Sequence, residues 1–282
     1  MIDLTIHCVV KNEERWIWYA LSSVKDIAKQ IIIYDTGSSD KTVEIIRTIK
    51  SNKIKFEEKG EVDAAGLTKL RQEQLEKTKT EWFLLLDGDE IWPKVTISEL
   101  ATVIKRSKPH VWAGVIRAWN PVGDVYHYHP ESIRYHWPFA PKNYVGWANL
   151  RLIRTKVPGL HVEGDYPLEA YKDKTKTPIQ NYGKKHLVFF KNRYFHTTYL
   201  IRSSTRQVDK GVLNRAKKGK LEYGLKFSKD FKYPETFYEK RPSTVGDPWE
   251  KRSALENTLA LAQFPLREAR RRVLDLYNPK PR

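Results

Sequence analysis

The sequence is poor in sulfur, because its 282 residues include only one cysteine and one methionine. A single cysteine cannot form a disulfide within the chain, and no group of Cys and His residues has the spacing of a zinc site. Cys8 lies in an apolar run and is therefore expected in the core rather than at a reactive site. These absences exclude a fold that depends on disulfides or on structural zinc.

Long apolar runs are also missing, since no stretch approaches the roughly 20 residues of a membrane-spanning helix. The first apolar run, Leu4–Val10, is interrupted by His7 and followed by Lys11 and Glu13, which is not the pattern of a signal peptide. We therefore expect a cytoplasmic protein. Because 40% of the residues are hydrophobic, the chain can form a packed core, and its composition disfavours disorder.

Negative charge is scarce after the first hundred residues. The net charge of +17 divides into −3 for residues 1–100, +10 for residues 101–200 and +10 for residues 201–282. A near-neutral first third followed by a basic remainder predicts two roles, with the basic part facing an anionic partner. The alternative is an ordinary solvated surface rich in lysine.

The first third of the chain alternates between strand and helix patterns. The predicted strands are Leu4–Val10, Gln30–Tyr34, Lys53–Glu58 and Trp82–Leu86; the predicted helices are Arg15–Val24, Thr42–Ile49, Ala64–Lys77 and one that runs through Ile104. Thr96 and Glu99 have the spacing of a capping box for the last of these helices. Since Trp82–Leu86 is apolar on both faces, the pattern predicts a parallel sheet covered on both sides.

The pattern is weaker beyond residue 110. It predicts strands at Val111–Trp119 and Trp147–Arg154, with a long loop, Asn120–Gly146, between them. Near the end of the chain, Asp247-Pro248-Trp249-Glu250 predicts the start of a helix.

An acidic turn, Asp87-Gly88-Asp89-Glu90, directly follows the strand Trp82–Leu86. Open α/β sheets bind ligands at the carboxyl ends of their strands. Gly88 allows a sharp turn that can aim both aspartates at one point. Carboxylates are ligands that Mn²⁺ or Mg²⁺ shares with substrate phosphates, so the turn is a candidate metal site. The alternative is a capped turn before a helix.

The chain resembles the family-2 glycosyltransferases at four places that occur in order. These are Val9-Val10-Lys11-Asn12-Glu13-Glu14, the segment from Tyr34 to Thr42, Arg71, and Leu86-Asp87-Gly88-Asp89-Glu90. The resemblance implies an α/β protein of the GT-A fold, which is Rossmann-like. Such a fold has a mixed, mainly parallel sheet with helices on both faces and an elaborated acceptor-side C-terminal half. A Rossmann dehydrogenase is excluded, because no Gly-x-Gly-x-x-Gly follows the first strand.

The resemblance implies three parts of the chain. Residues 1–105 are expected to form the nucleotide-sugar-binding half, and residues 106–200 the acceptor-binding half of the same GT-A domain. Residues 201–282 are expected to form a helical, basic C-terminal extension.

The resemblance also assigns roles to individual residues. The implied donor-binding residues are Val10, Asn12, Glu13, Asp35, Arg71, Asp87 and Gly88, and the implied ligands of Mn²⁺ or Mg²⁺ are Asp87, Asp89 and His196. Asp35 is expected to contact the base or ribose, and Arg71 to face the diphosphate, whose oxygens suit a guanidinium. For Asn12 and Glu13 the alternative is capping of the loop, and for His196 it is ordinary packing.

The catalytic base is expected after the predicted strand Trp147–Arg154. The segment from Gly159 to Glu169 resembles an acceptor-side acidic motif, although its second histidine is missing and its spacing is altered. Asp165, Glu163 and Glu169 are the candidates. Asp165 ranks first, because Gly164 beside it gives it a flexible, exposed position.

These assignments predict an inverting transfer of a sugar from a nucleotide-diphosphate donor to an acceptor hydroxyl. The expected acceptor is a glycan or a lipid-linked molecule, in glycan, lipid-linked or polysaccharide assembly. The basic second half also suits peripheral contact with an anionic membrane at its inner face. Four arginines of the predicted terminal helix would serve such contact: Arg267, Arg270, Arg271 and Arg272.

Three alternatives remain at this point. One is a nucleic-acid-binding protein without transferase activity, and another is a glycosyltransferase that acts on modified nucleic acid. Without a metal, however, the acidic turn would repel phosphate. The third is nucleotidyl transfer on the same fold, which the absence of a Gly-rich basic loop after the first strand disfavours.

Overall fold

The structure is a computed structural model. It describes residues 2–129, 140–141, 144, 146–204, 207–208, 212, 215 and 222–277, except for the side chains of residues 267, 268 and 270–277. Its main feature is an eight-stranded mixed sheet with helices on both faces.

The described chain contains the following strands and helices, and those of the first third lie where the sequence predicts them. The strands are β1 (Leu4–Val10), β2 (Gln30–Asp35), β3 (Ile54–Glu58), β4 (Trp82–Leu86), β5 (Glu90–Ile91), β6 (Ala113–Trp119), β7 (Pro121–Val122), β8 (Asp124–Tyr128), β9 (Ala148–Arg154), β10 (His161–Glu163), β11 (Ala170–Lys172), β12 (Leu187–His196) and β13 (Leu225–Lys226). The helices are α1 (Ile17–Val24), α2 (Thr42–Thr48), α3 (Ala64–Lys77), α4 (Lys94–Arg106) and α5 (Ala254–Tyr277), with 3-10 turns at Ile179–Asn181 and Glu235–Tyr238.

The strand order of the main sheet is β3-β2-β1-β4-β9-β6-β12-β5. β1 to β4 are parallel, and β9 is antiparallel to both β4 and β6. Because β12 is parallel to β6, both strands run in the direction of β4. The carboxyl ends of β1, β2, β4, β6 and β12 therefore meet at one edge. The predicted fold class, a mixed and mainly parallel α/β sheet, is confirmed.

The sheet is curled, because a short turn joins two strands that are far apart in its order. β4 and β5 are separated by four strand spacings, which amount to about 19 Å in a flat sheet. The chain from Leu86 to Glu90 spans at most about 14 Å. The end of β12 therefore curves back towards β4, and a bulge between Phe189 and Arg193 interrupts the register of this strand.

Strand β4 is buried on both faces. Leu84 and Leu86 belong to one hydrophobic cluster, whereas Phe83 and Leu85 belong to a second cluster on the other side of the sheet. Cys8 of β1 lies in the first cluster and is fully buried. The expectation of a core cysteine is thus confirmed.

The capping box predicted at Thr96 and Glu99 is wrong. α4 begins at Lys94, directly after Pro93. The Thr96 hydroxyl donates to the carbonyl oxygen of Arg193, and the Glu99 carboxylate accepts the backbone N–H groups of Lys191 and Asn192 at 2.8 and 2.9 Å. Both side chains therefore bind the bulge of β12, whose backbone groups lack partners in the regular ladder.

Two further expectations need correction. The segment Asn120–Gly146 is not one long loop, because it contains β7 and β8. In a three-stranded sheet, β8 pairs with β7 on one side and with β13 on the other. Residues 130–139, 142, 143 and 145 lie outside the described part. The helix predicted from Asp247 begins instead at Ala254. There Ser253 and Glu256 form the reciprocal backbone contacts of a capping box.

The expected helical extension is helical mainly in α5, whereas residues 222–253 are mostly loop. Aromatic side chains attach this loop to the sheet and to α1. The rings involved are Phe227, Phe231, Tyr233, Phe237 and Trp249 on the loop side, and Trp16, Tyr19, Trp119, Tyr126 and Phe195 on the other side. Aromatic pairs in such offset and edge-on arrangements stabilise beyond the area they bury.

Within the described part of the chain, no helix combines the length and the apolar character that crossing a bilayer requires. The side chains of Arg267, Arg270, Arg271 and Arg272, which the sequence suggests for membrane contact, lie outside the described residues.

His7 is the basis of a pH-dependent prediction about stability. Its ring is buried, stacks on Phe83 at 4.5 Å, and lies 2.5 Å from the hydroxyl of Thr78. Burial, together with the charge of Arg71, lowers the pKa of His7 to about 3. The unfolded chain takes up this proton near the ordinary histidine value, so the free energy of unfolding is expected to fall as pH drops below that value. The slope is up to about 1.4 kcal/mol per pH unit.

This expectation is checked by denaturant unfolding of the wild type and of His7→Gln between neutral and mildly acidic pH. On acidification, the free energy of unfolding should fall less for the variant than for the wild type, so the plots of this free energy against pH converge. His110→Gln is the matched control, because His110 is exposed. Parallel curves for the wild type and His7→Gln would contradict the neutral, buried histidine.

Candidate active site

The acidic turn joins β4 to β5 at the carboxyl edge of the sheet. The N–H of Glu90 donates to the carbonyl oxygen of Asp87 at 3.0 Å and closes the turn. Asp89 and Glu90 are fully buried, whereas the Asp87 side chain is 34% exposed. Gly88 packs against Glu13, since a Cβ atom at this glycine would lie 2.8 Å from the Cγ of Glu13.

Arginines from distant parts of the chain offset the charge of this turn. Arg151 of β9 donates to Oδ2 of Asp87 at 2.7 Å and also to Oε1 of Glu90. Arg202, which follows β12, donates to Oδ2 of Asp89. Buried ionised carboxylates require such partners, because desolvation of an unpaired charge is costly.

The two carboxyl groups that Arg151 contacts differ in their pKa. Burial alone would raise the pKa of Asp87, but Arg151 and Arg71 outweigh it and hold the pKa below its ordinary value. For Glu90, burial dominates over Arg151, and Asp87 and Asp89 add to it, so its pKa rises to about 8. At neutral pH the negative charge of the pair is therefore concentrated on Asp87, the more exposed member.

Asp87, Asp89 and His196 form a candidate metal site. One ligand atom of each residue lies within 4.8 Å of the others, and Nε2 of His196 is 3.4 Å from Oδ2 of Asp89. The residues meet because His196, at the end of β12, pairs with Glu90 of β5. Two carboxylates and an imidazole suit a divalent cation of the Mn²⁺ type. The structure thus brings together the three residues that the sequence suggests as ligands.

The loops after β1 and β2 are joined by hydrogen bonds beside this site. Asn12 has a positive φ of 55°, and its Oδ1 accepts the N–H of Ser39 at 2.7 Å. Oδ2 of Asp35 accepts the N–H groups of Gly37 and Ser38. The carbonyl oxygen of Val10 accepts the N–H of Thr36, and so joins the two loops. The capping contacts considered for Asn12 are therefore present, and nucleotide contacts for Asn12, Val10 and Asp35 stay predictions.

Glu13 has buried partners that the sequence gives no means to find. Its Oε1 accepts from Arg215, and Nη1 of Arg202 lies 3.2 Å from the same oxygen. Arg215 also donates to the carbonyl oxygens of Lys11 and Asn12. Arg202 and Arg215 are about 190 to 200 positions from Glu13, and no local pattern marks them. The sequence also leaves Arg151 without a predicted role, although an arginine in an otherwise apolar strand indicates a buried partner.

The three candidate bases have different surroundings. Glu163 lies in the β10–β11 hairpin and pairs with Lys172 and His161. Asp165 is exposed. Glu169 lies 3.2 Å from Nε of Arg71, whose Nη2 is 3.9 Å from Oδ1 of Asp87. Glu169 is thus the candidate whose contacts lead directly to the acidic turn.

A curled, mainly parallel sheet with an acidic turn at its carboxyl edge is an α/β architecture of the GT-A type, and it places the candidate site where open α/β sheets bind their ligands. The model of the family "Glycosyl transferase family 2" matches residues 5–157, which is more than half of the chain. The protein belongs to this family.

The similar proteins cover only parts of the chain. The SPbeta prophage-derived glycosyltransferase SunS of Bacillus subtilis is 33% identical over 105 residues, which are 36% of this chain and 24% of SunS. The chain therefore matches about a quarter of the length of this curated relative, and SunS of Bacillus phage SPbeta gives the same figures.

The structural neighbours are more distant. S. aureus TarS 1–349 is 18% identical, with a TM-score of 0.46 over 70% of this chain and 61% of TarS 1–349. The complex of that protein with UDP-GlcNAc has a TM-score of 0.47 over 70% of this chain and 58% of that chain, also at 18% identity. Glucosyl-3-phosphoglycerate synthase of Mycobacterium tuberculosis is 16% identical, with a TM-score of 0.32 over 43% of this chain and 44% of that chain.

The contact between Gly88 and Glu13 predicts the effect of a single methyl group. In Gly88→Ala the added Cβ meets the Glu13 side chain, so the turn or the loop after β1 must shift. We expect the free energy of unfolding to fall by about 1–3 kcal/mol. Gly246→Ala is the matched control, because the nearest atom to its Cβ is 3.8 Å away. Equal stability of the two variants in denaturant unfolding would contradict close packing at Gly88.

Proposed function

We propose that the protein transfers a sugar from a nucleotide-diphosphate donor to an acceptor hydroxyl with inversion at the anomeric carbon. The observation that carries the proposal is the convergence of Asp87, Asp89 and His196 at the carboxyl edge of the sheet, in a chain of glycosyl transferase family 2. Because the matched relatives are much longer than the matched segment, the activity of the whole protein is part of this proposal.

Asp87, Asp89 and His196 would hold Mn²⁺ or Mg²⁺, and such an ion offsets the charge that develops on a departing diphosphate. Arg71 lies beside Asp87 and would bind diphosphate oxygens with its planar guanidinium. Val10, Asn12, Glu13 and Gly88 would shape the donor site, and Asp35 would contact the base or ribose.

A carboxylate on the acceptor side would remove the proton from the attacking hydroxyl. We propose Glu169 for this role, ahead of Asp165, which ranks first from the sequence. Glu169 is close to the acidic turn through Arg71, whereas the contacts of Glu163 with Lys172 and His161 stay within the β10–β11 hairpin. A positioned base of this kind contributes about 10²–10⁴ to the rate.

The proposed acceptor is an anionic glycan or lipid-linked molecule. The support is the charge distribution, because residues 101–282 carry +20 and residues 1–100 carry −3, which together give the net charge of +17. Contact with an anionic membrane at its inner face is part of the same proposal.

The metal site is tested by thermal shift with UDP-, GDP-, CMP- and dTDP-linked ligands, each with and without Mn²⁺. We expect one nucleotide to stabilise the wild type only when Mn²⁺ is present. Asp89→Asn should lose this metal-dependent shift and the hydrolysis or transfer of the donor, because a neutral amide is a weaker ligand. Asp26→Asn, at an exposed position, is the control. Full metal-dependent activity in Asp89→Asn would remove the central assignment.

The base is tested with Glu169→Gln, Asp165→Asn and Glu163→Gln. Once the donor is known, we expect Glu169→Gln to lower kcat for transfer by about 10²–10⁴, with little change in metal-dependent donor binding. The other two variants should retain most of their transfer rate. A selective loss in Asp165→Asn would instead restore the ranking from the sequence.

A further inference from the structure

Arg151 is a buried arginine at the point where β9 passes the end of β4. Only 9% of its surface is exposed. β9 pairs with β4 up to Leu152 opposite Leu84, so Arg151 lies one position closer to the acidic turn. Its Nη2 donates both to Oδ2 of Asp87, at 2.7 Å, and to Oε1 of Glu90. One nitrogen thus connects the two ends of the turn.

The Arg151 side chain lies beside buried aromatic residues that pack against each other. Its guanidinium carbon lies 6.0 Å from the centre of the Tyr194 ring. Tyr194 stacks on Trp92 at 5.1 Å with an interplanar angle of 8°, and its hydroxyl accepts from the Asn149 amide at 2.6 Å. Both aromatic side chains are buried. The guanidinium of Arg151 therefore contacts the aromatic core as well as the Asp87 side chain.

Arg151 contacts only one of the two carboxylate oxygens of Asp87. Arg151 takes Oδ2, whereas the other oxygen, Oδ1, has Arg71 at 3.9 Å, which is beyond hydrogen-bond distance. A carboxylate held by one oxygen presents the second in a defined direction. Partners of this kind orient metal-binding carboxylates in general.

We propose that Arg151 is a positioning residue, which holds Asp87 by Oδ2 so that the carboxylate faces Asp89 and His196 as a ligand. This inference rests on the proposed function, because it concerns the metal site of the same reaction. The competing explanation is that Arg151 only neutralises the charge of the buried turn.

The two explanations are separated by removing Glu90 and Arg151 in different combinations. Glu90→Gln keeps the bond between Arg151 and Asp87. The double variant Glu90→Gln/Arg151→Gln loses that bond but leaves no carboxylate of Glu90 unpaired in the core. Arg151→Lys keeps the positive charge but offers a flexible point donor. Arg154→Gln is the matched control, because Arg154 is also buried on β9 but lies at the other end of the strand, over Trp82.

The measurements are thermal unfolding of each variant and titration with Mn²⁺ in the presence of UDP, GDP, CMP and dTDP in turn. For the double variant we expect the Mn²⁺ concentration at half-saturation to rise about tenfold or more, the usual effect of losing such a partner. Arg151→Lys should show a rise as well, although its charge is retained. Glu90→Gln and Arg154→Gln should bind Mn²⁺ like the wild type, even where their unfolding temperature is lower.

Wild-type affinity for Mn²⁺ in the double variant would overturn the positioning role and leave the proposed function intact. Recovery of that affinity in Arg151→Lys would also overturn it, because charge alone would then suffice. If the wild type binds no Mn²⁺ with any of these four nucleotides, both the metal site and the role of Arg151 are wrong.

Discussion

The burial of the acidic turn after β4 depends on arginines from two other segments of the chain. Asp87, Asp89 and Glu90 lie within four residues, and the last two are inaccessible to solvent. Like charges so close together in a medium of low polarity repel strongly. Arg151 and Arg202 offset this repulsion, and the proton that Glu90 keeps up to about pH 8 removes part of it. The route of β9 past β4 and the path of the chain after β12 are thus conditions for the turn.

The same turn also fixes the shape of the sheet. Its few residues connect strands that a flat sheet would hold too far apart, so β12 must curve until His196 faces Glu90. Thr96 and Glu99 of α4 bind the backbone of the bulge at which β12 departs from its regular register. A helix that covers the sheet therefore helps to bring a candidate metal ligand into place. The packing of α4 and the position of His196 are thus linked through the bulge of β12.

What the sequence predicts well is local. The strands and helices of residues 1–106 follow from apolar periodicity, and the Asp-Gly-Asp turn is recognised directly from its residue types. The prediction fails where a side chain binds something distant. Thr96 and Glu99 have the spacing of a capping box, yet their partners are 92 to 97 residues away. Arg202 and Arg215 contact Asp89 and Glu13 across more than 110 residues, and no spacing rule relates such pairs. Arg202 and Arg215 therefore could not be predicted from local sequence patterns.

The charges of the complete cluster bear on how a cation and a donor would bind. Arg71, Arg151, Arg202 and Arg215 face the carboxylates of Glu13, Asp87, Asp89 and Glu169, so positive and negative groups are balanced before any ligand is added. A divalent cation on Asp87 and Asp89 would compete with Arg202 and leave an excess of positive charge. A diphosphate brings negative charge that offsets this excess, and Arg71 is placed to share it. Cation and donor should therefore bind more tightly together than either does alone, by thermodynamic reciprocity.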